Sequence, residues 1–158
     1  MAVLITNRQN LYKISTDRIR TTAQALLSAL DKAEAELSLL ITEDEEIAKI
    51  NEVYLSRSGP TNVIAFPMQT GDFPDVGPRL LGDVVISVET AAREAAEAGA
   101  ASGERFTELL IHGILHLLGY EHESNEADAE EMFSKTDELK DHLKRIGPGI
   151  DLIESDDA

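Results

Sequence analysis

The sequence predicts an α+β fold in which about five helices pack on a mostly four-stranded sheet. Strand and helix patterns mix along the chain without strict alternation, which favours a sheet covered by helices over a regular βα repeat. The chain has 158 residues and an apolar fraction of 42%, which suffice for one domain with a full core. We therefore expect one domain over residues 1–150, followed by a disordered acidic tail over residues 151–158.

Short apolar runs predict the strands, and apolar residues at helical spacing predict the helices. The predicted strands cover residues 2–6, 36–41, 62–66 and 81–88. The predicted helices cover residues 16–30, 42–54, 89–98, 104–118 and 125–145. A capping box formed by Thr42 and Glu45 is expected to open the second of these helices. Gly59 and Pro60 break either regular structure, so the segment after that helix is predicted to be a loop.

The composition excludes several kinds of site. The chain contains no cysteine, which rules out disulfides, thiolate metal ligands and cysteine nucleophiles and leaves histidines and carboxylates as ligands. The N-terminal residues lack the pattern of a signal peptide, and no apolar run is long enough to cross a bilayer. We therefore expect a soluble, cytoplasmic protein without a membrane partner.

The charge of the chain is strongly negative but unevenly spread. A formal net charge of −16, from 30 acidic and 14 basic residues, argues against nucleic-acid binding through bulk positive charge. The N-terminal end differs, because residues 1–20 hold Arg8, Lys13, Arg18 and Arg20 against Asp17 alone. The sequence thus predicts a local basic surface on an acidic molecule.

The strongest motif contains three of the four histidines, His112, His116 and His122. His112 and His116 are four residues apart in a predicted helix, so both imidazoles project from one face and can bind one metal ion. Gly119 permits the left-handed turn that ends a helix, after which the returning chain can bring His122 to the same ion. Three protein ligands leave one tetrahedral position for water, as in a catalytic zinc site. Imidazoles also suit nickel, copper and iron, so the spacing leaves the metal open.

An alternative interpretation is that these histidines are ordinary core or surface residues with satisfied hydrogen bonds. It fits His112 and His116 poorly, because their helix is apolar nearly all round and two imidazoles would need partners there. His142 differs, since it lies among charged residues of the last predicted helix. We interpret His142 as a solvated side chain.

The histidine spacing, with its intervening glycine, is that of the metzincin proteases. Those proteases carry a glutamate directly after the first histidine as general base, and here Gly113 occupies that position. A metallopeptidase is therefore an alternative that this glycine counts against. Without the glutamate, another base or the metal ion itself has to activate the water.

Three segments carry a resemblance to a known family. Residues 112–122, HGILHLLGYEH, resemble the HGxLHLxGYDH motif of the YbeY family of bacterial rRNA maturation factors, with Glu121 in place of the usual aspartate. Residues 60–67, PTNVIAFP, are similar to the PTDVLSFP strand of that family, and residues 81–87, LGDVVIS, to its LGDIVIS strand. Their order and spacing fit over nearly the whole chain.

The resemblance implies a zinc-dependent endoribonuclease specific for single-stranded RNA, acting in 16S rRNA 3′-end maturation and ribosome quality control. It also implies a mixed sheet flanked by helices, with one zinc ion held by His112, His116 and His122. The expected partners are single-stranded RNA, the rRNA of the small ribosomal subunit and ribosomal proteins. The basic N-terminal residues are expected to guide the RNA backbone.

The rest of the implied site is less regular. The family usually has an arginine after its tyrosine, but here Leu55 follows Tyr54 and Arg57 comes two positions later. Arg57 is a candidate catalytic residue, because its guanidinium suits phosphate, or else a solvated loop residue. Asp83 is a candidate to orient a ligand histidine, or else a turn or cap acceptor. A further alternative is a non-catalytic ribosome assembly factor with a structural metal.

Overall fold

The structure is a computed structural model that describes residues 2–68, 80–120, 126–146 and 149–154. Its elements follow the chain as β1 (Ala2–Asn7), β2 (Tyr12–Lys13), α1 (Thr16–Ala29), β3 (Glu36–Thr42), α2 (Asp44–Leu55), β4 (Val63–Pro67), β5 (Leu80–Ser87), α3 (Val88–Ala98), α4 (Ser102–Leu117), α5 (Glu126–Ile146) and β6 (Ile153–Glu154).

The main sheet has four strands in the order β1-β3-β5-β4. β3 pairs in parallel with both β1 and β5, whereas β4 pairs antiparallel with β5 and forms one edge. The five helices and the mixed four-stranded sheet expected from the sequence are therefore confirmed within the described residues.

The two faces of the sheet are covered unequally. Alternate residues of a strand point to opposite faces, and the larger core lies where strand side chains meet α1, α4 and α5. On the other face, Ile47 of α2 packs against Ile64 of β4 and Val85 of β5. Consequently α2 and α4 lie on opposite faces, and the edge strand β4 runs between them.

α4 is apolar nearly all round because it packs against β4, β5, α3 and α5. Two glycines let it approach its neighbours closely. A Cβ atom at Gly113 would stand 2.6 Å from Cγ1 of Val84, and one at Gly103 would overlap the carbonyl oxygen of Ile150. Despite this apolar helix, no helix in the described ranges is long and apolar enough to cross a membrane.

The prediction that Thr42 and Glu45 form a capping box at the start of α2 is wrong. β3 extends to Thr42, and the N-cap residue of α2 is Glu43, whose side chain makes no capping hydrogen bond. The Thr42 hydroxyl donates to Oε1 of Glu46 at 2.5 Å instead of pairing with Glu45. The motif failed because Thr42 belongs to the strand, one residue before the true cap.

The N-terminal ends of α2 and α3 stabilise each other. The carboxylate of Asp44 accepts hydrogen bonds from Ser87 at 2.6 Å, Thr90 at 2.5 Å and Arg93 at 3.2 Å. In return, the backbone N–H of Asp44 donates to Glu89 at 3.0 Å. Partial burial alone raises the pKa of Asp44, but these bonds and the charge of Arg93 outweigh it and hold the pKa below its ordinary value.

The two-residue strands β2 and β6 pair antiparallel and form a second, small sheet. Such short strands give no periodic signal, so the sequence did not predict them. Ile150 is 5% exposed, and Arg18 forms an ion pair with Asp151 at 3.4 Å. Residues 151–154, expected to be part of a disordered tail, are therefore attached to the domain, whereas residues 155–158 lie outside the described residues.

Candidate functional site

The two helical histidines lie side by side near the C-terminal end of α4. Their ring centroids are 4.7 Å apart, with the ring planes inclined at 58°. Both side chains are partly buried. The helix therefore presents His112 and His116 together, as their spacing predicts.

This pair has the donor chemistry that zinc prefers, because two neutral imidazoles one helical turn apart can bind the same ion. His122 and Glu121 lie outside the described residues. Within the described ranges there is no group of three side chains that could hold a metal ion. The predicted three-histidine site thus stays a prediction, with two of its members adjacent on α4.

A groove of about 750 Å³ runs along the edge strand β4, between α4 and the loop that follows α2. His112, Gly113 and His116 line it from α4, and residues 60–65 line it from the loop and β4. Among the lining residues that the structure describes, Arg57 is the only cation and there is no carboxylate. The groove is therefore suited to an anion although the chain carries a net charge of −16.

The loop after α2 brings Arg57 to this groove. Ser56 adopts the left-handed backbone conformation, with φ 54°, and its N–H donates to the carbonyl of Asn51. The N–H of Arg57 donates to the same carbonyl at 3.2 Å. The chain therefore turns back directly after the helix, and Arg57 joins His112 and His116 in the lining.

Leu55 and Tyr54 occupy the last turn of α2. Leu55 lines the groove and is 39% exposed. It stands where arginine is expected from the family resemblance described above. Tyr54 is 69% exposed and packs its ring edge-on against Phe66, with centroids 5.8 Å apart. Among the described lining residues, the cation therefore comes from Arg57 on the loop and not from the last turn of α2.

Asn62 lines the groove in a fixed orientation. Its Nδ2 donates to both carboxylate oxygens of Glu94, at 3.2 and 3.3 Å, and its Oδ1 accepts from the N–H of Val63 at 2.7 Å. Glu94 also accepts from Arg105 at 3.0 Å. The amide therefore cannot rotate without breaking these bonds.

Glu108 precedes His112 by one turn of α4 but is bonded to cations. It accepts from Lys140 at 2.5 Å and from Arg105 at 3.2 Å. Partial burial alone raises the pKa of Glu108, but both cations outweigh it and hold the pKa below its ordinary value. The hydrogen bond to Glu108 in turn raises the pKa of Lys140. A carboxylate held in this way is a poor general base.

Asp83 lies on the opposite face of the sheet from the histidines. Its neighbours Gly82 and Val84 face α4. A Cβ atom at Gly82 would approach Leu117, and the side chain of Val84 contacts α4 at Gly113. Asp83 pairs in register with Phe66, which packs in the smaller core beneath α2. The orienting role expected for Asp83 is not supported by this position, because strand residues alternate between the faces.

The expected basic surface at the N-terminal end is largely neutralised. Three of its four cations, all arginines, form ion pairs with acidic side chains: Arg8 with Glu46 at 2.9 Å, Arg18 with Asp151 at 3.4 Å and Arg20 with Asp17 at 3.3 Å. The acidic partners come from other elements or from the same helix turn, so counting charges over residues 1–20 did not reveal two of them.

Sequence reasoning missed two groove residues, Asn51 and Asn62. The signal for Asn51 was available, because asparagine is a poor helix former and this one follows Ile47 by one turn on the buried side of α2. Asn62 gave no such signal, since its partner Glu94 is remote in the sequence.

Comparisons with known proteins identify the family to which the chain is similar. Residues 4–144 match the family model described as endoribonuclease YbeY. A protein of that name from Geobacter sulfurreducens is 51% identical over 140 residues, covering 88% of this chain and 93% of the relative. One from Geobacter metallireducens is 48% identical over 148 residues, covering 93% and 99%.

A solved structure extends the likeness to the fold. The solution structure of a Thermotoga maritima protein superposes with a TM-score of 0.61, covering 87% of this chain and 85% of the other. The sequence identity is 23%, so this likeness concerns the architecture alone.

Proposed function

The chain belongs to the endoribonuclease YbeY family, and from this premise we propose that it is a zinc-dependent endoribonuclease that cleaves single-stranded RNA. The proposed substrate is the rRNA of the small ribosomal subunit, in the cytoplasm. The proposed cellular roles are 16S rRNA 3′-end maturation and ribosome quality control, with ribosomal proteins as further partners.

The observation that carries this proposal is the composition of the groove. Two imidazoles and the guanidinium of Arg57 line the groove. The lining residues that the structure describes include no carboxylate. An RNA strand is a chain of phosphate anions, so a groove without negative side chains is suited to it even on an acidic protein. A peptide substrate would not require a groove that lacks negative side chains.

The proposed zinc ligands are His112, His116 and His122. Bound zinc supplies Lewis-acid polarisation of a phosphoryl oxygen and activation of water. α4 holds the first two imidazoles at a fixed spacing, with ring centroids 4.7 Å apart. This rigidity reduces the reorganisation needed when the site binds its ion and its substrate.

Arg57 is the proposed catalytic residue supplied by the loop. Its guanidinium can donate two parallel hydrogen bonds to phosphate oxygens and offset the negative charge that develops on phosphorus-bound oxygens during cleavage. The side chain is exposed, and no hydrogen bond or ion pair joins it to another described residue. It is therefore free to bind phosphate.

The metallopeptidase alternative meets an obstacle at Gly113. A glutamate at that position would begin at a Cβ atom 2.6 Å from Val84 and 3.3 Å from Val63. The general base of a metzincin therefore does not fit the contact between α4 and the sheet. This packing supports a nuclease over a peptidase.

The test compares His116→Ala with a matched control, His142→Ala on α5. Each purified protein is incubated with zinc and a single-stranded RNA oligonucleotide, and bound zinc is measured by elemental analysis. His116→Ala is expected to lose bound zinc and about a hundredfold in cleavage rate. His142→Ala is expected to retain both, because His142 is a partly buried side chain of α5 outside the groove.

Three outcomes would contradict the proposal in different ways. Undiminished cleavage by His116→Ala would rule the histidine pair out of catalysis. Robust turnover of unstructured peptides by the zinc-loaded protein would favour the metallopeptidase. Co-sedimentation with small ribosomal subunits, together with full rRNA processing in cells that carry only His116→Ala, would favour an assembly factor with a structural metal.

A further inference from the structure

We propose that Asn51 is a positioning residue that holds Arg57 in the groove by anchoring the loop after α2. The inference rests on the proposed function in one respect, the contact between Arg57 and RNA phosphate. The anchoring itself follows from the hydrogen bonds of Asn51 and can be tested without RNA.

Asn51 is a buried polar residue at the point where α2 meets the loop. The residue is 5% exposed, and its Nδ2 donates to the carbonyl of Gly59 at 3.0 Å. Its own backbone carbonyl accepts from the N–H groups of Ser56 and Arg57, the latter at 3.2 Å. One residue therefore binds the loop at both ends, on either side of the Arg57 side chain.

The loop has little else to hold it. Residues 56–60 are all exposed. Among the described residues, Asn51 makes the only side-chain hydrogen bond to this segment. The left-handed conformations of Ser56, with φ 54°, and Gly59, with φ 86°, are needed for the chain to turn back. An L-residue such as Ser56 adopts that conformation only when its surroundings enforce it.

Arg57 depends on this backbone for its position. Its guanidinium is bonded to no described residue, so no side chain of the described residues keeps it in the groove lining that it shares with His112 and His116. A catalytic group displaced by about 1 Å can lose about a hundredfold in rate. A mobile loop would therefore weaken the action of Arg57 without removing the residue.

The anchor requires an amide rather than a carboxylate or an apolar group. Gly59 presents a carbonyl oxygen, which needs a donor, and a carboxylate offers only acceptors at neutral pH. Asn51→Asp would set two acceptors against each other and add negative charge to the groove. Asn51→Leu would release the carbonyl to water, since Gly59 is exposed, and would keep most of the side-chain volume.

The first experiment is a double-mutant cycle on cleavage of a single-stranded RNA oligonucleotide. Arg57→Ala is expected to lower kcat about a hundredfold. Asn51→Leu is expected to lower kcat about tenfold while Arg57 is present and to have no further effect in the Arg57→Ala background. Additive losses would overturn the proposal, because Asn51 would then act independently of Arg57.

Gln9→Leu is the matched control. Gln9 is also 5% exposed, and its amide likewise binds backbone groups, here those of Tyr12 at the start of β2: it donates to the carbonyl and accepts from the N–H, at 2.9 Å each. It lies outside the groove lining. Gln9→Leu is expected to leave cleavage unchanged. An equal loss of cleavage from Gln9→Leu and Asn51→Leu would mean general destabilisation and would contradict a positioning role.

The second experiment is amide hydrogen exchange of the loop, which needs no substrate. In Asn51→Leu and Asn51→Asp, exchange at the Arg57 N–H is expected to rise about tenfold or more, with exchange in the main sheet unchanged. Unchanged exchange at Arg57 in both variants would overturn the anchor. If the wild-type protein fails to cleave RNA while this exchange rises, the proposed function and the role of Arg57 fail but the anchor stands.

Discussion

The groove and the neighbouring contact between α3, α4 and α5 both use side chains of α4, yet they hold charge differently. In the groove, the guanidinium of Arg57 is exposed and the described lining has no carboxylate. At the helix contact, which we term the ion-pair surface, Glu94, Arg105, Glu108 and Lys140 are joined by hydrogen bonds of 2.5 to 3.2 Å. Each carboxylate of this surface is matched by a cation.

This difference explains how a strongly acidic chain can present a site for a polyanion. Asn62 marks the boundary, because it lines the groove and donates to Glu94. The neutral amide of Asn62 thus lies between the groove and the ion-pair surface. The negative charge of Glu94 is paired with Arg105 on the far side of this amide. The net charge of the protein is therefore a poor guide to the potential inside the groove.

The largest expected effect comes from changing the packing of α4 against the sheet beneath the groove. In Gly113→Ala, the added Cβ would meet Cγ1 of Val84 at 2.6 Å and force α4 away from the sheet. We expect a loss of about 1–3 kcal/mol in the free energy of unfolding, with reduced RNA cleavage. Urea denaturation measures the first quantity.

Gly149→Ala provides the control for this prediction. Apart from its chain neighbours, no atom of the described residues lies within 4 Å of a Cβ built at Gly149. Its unfolding free energy is expected to change by less than about 0.5 kcal/mol. Equal stability of the two variants would contradict the close contact between α4 and the sheet.

The next effect comes from adding negative charge to the groove. Ser58 is an exposed residue of its lining. Ser58→Glu is expected to weaken binding of a single-stranded RNA about tenfold at low salt, which is about 1.4 kcal/mol, and less at high salt. Ser134→Glu, on the exposed face of α5, adds the same charge outside the groove and is expected to have little effect. If the two variants bind RNA equally, binding depends on the net charge of the protein and not on the local charge of the groove.

A smaller effect is expected from opening the ion-pair surface. Lys140→Met removes the cation that donates to Glu108 at 2.5 Å, where both side chains are less than a third exposed. We expect a loss of about 1 kcal/mol in unfolding free energy, with RNA cleavage unchanged. In the control Lys135→Met, the partner Glu138 is 66% exposed, and the loss is expected to be below about 0.5 kcal/mol. A fall in cleavage by Lys140→Met would mean that the two regions are coupled.

The smallest effect is expected in the pH dependence of stability. Because folding lowers the pKa of Glu108, its contribution is fully present above its unfolded value of about 4.5 and is lost as pH falls through the lower folded value. The pKa of Lys140 is raised, so its contribution is present below about 10.5 and lost at higher pH. Urea denaturation between about pH 5 and pH 3 should show a smaller decrease for Lys140→Met than for wild type. Equal slopes would contradict the ion pair.

The parts of the site that the sequence predicted are local. The spacing of His112 and His116 predicted that they share one face, because a helix fixes the relation between residues four apart. The position of Arg57 depended on a loop closed by Asn51 and Gly59, and spacing alone does not determine such a loop. The contribution of His122 stays a prediction.

The face of Asp83 was not readable from the sequence for a different reason. Val84, Val85 and Ile86 are all buried, because β5 is covered on both faces. A strand of this kind lacks the alternation of polar and apolar residues that would indicate which side faces α4. The contacts made by Gly82 and Gly113 determine the orientation, and they link residues far apart in the chain.

The pairing of β2 with β6 has a consequence for the kinetics of folding. It joins Tyr12 to Glu154 and Lys13 to Ile153, so nearly the whole described chain forms the loop that it closes. Closing so long a loop carries a large entropic penalty before any contact stabilises it, and we expect this sheet to form after the folding transition state. Substitutions in these strands should then speed unfolding while leaving the folding rate almost unchanged.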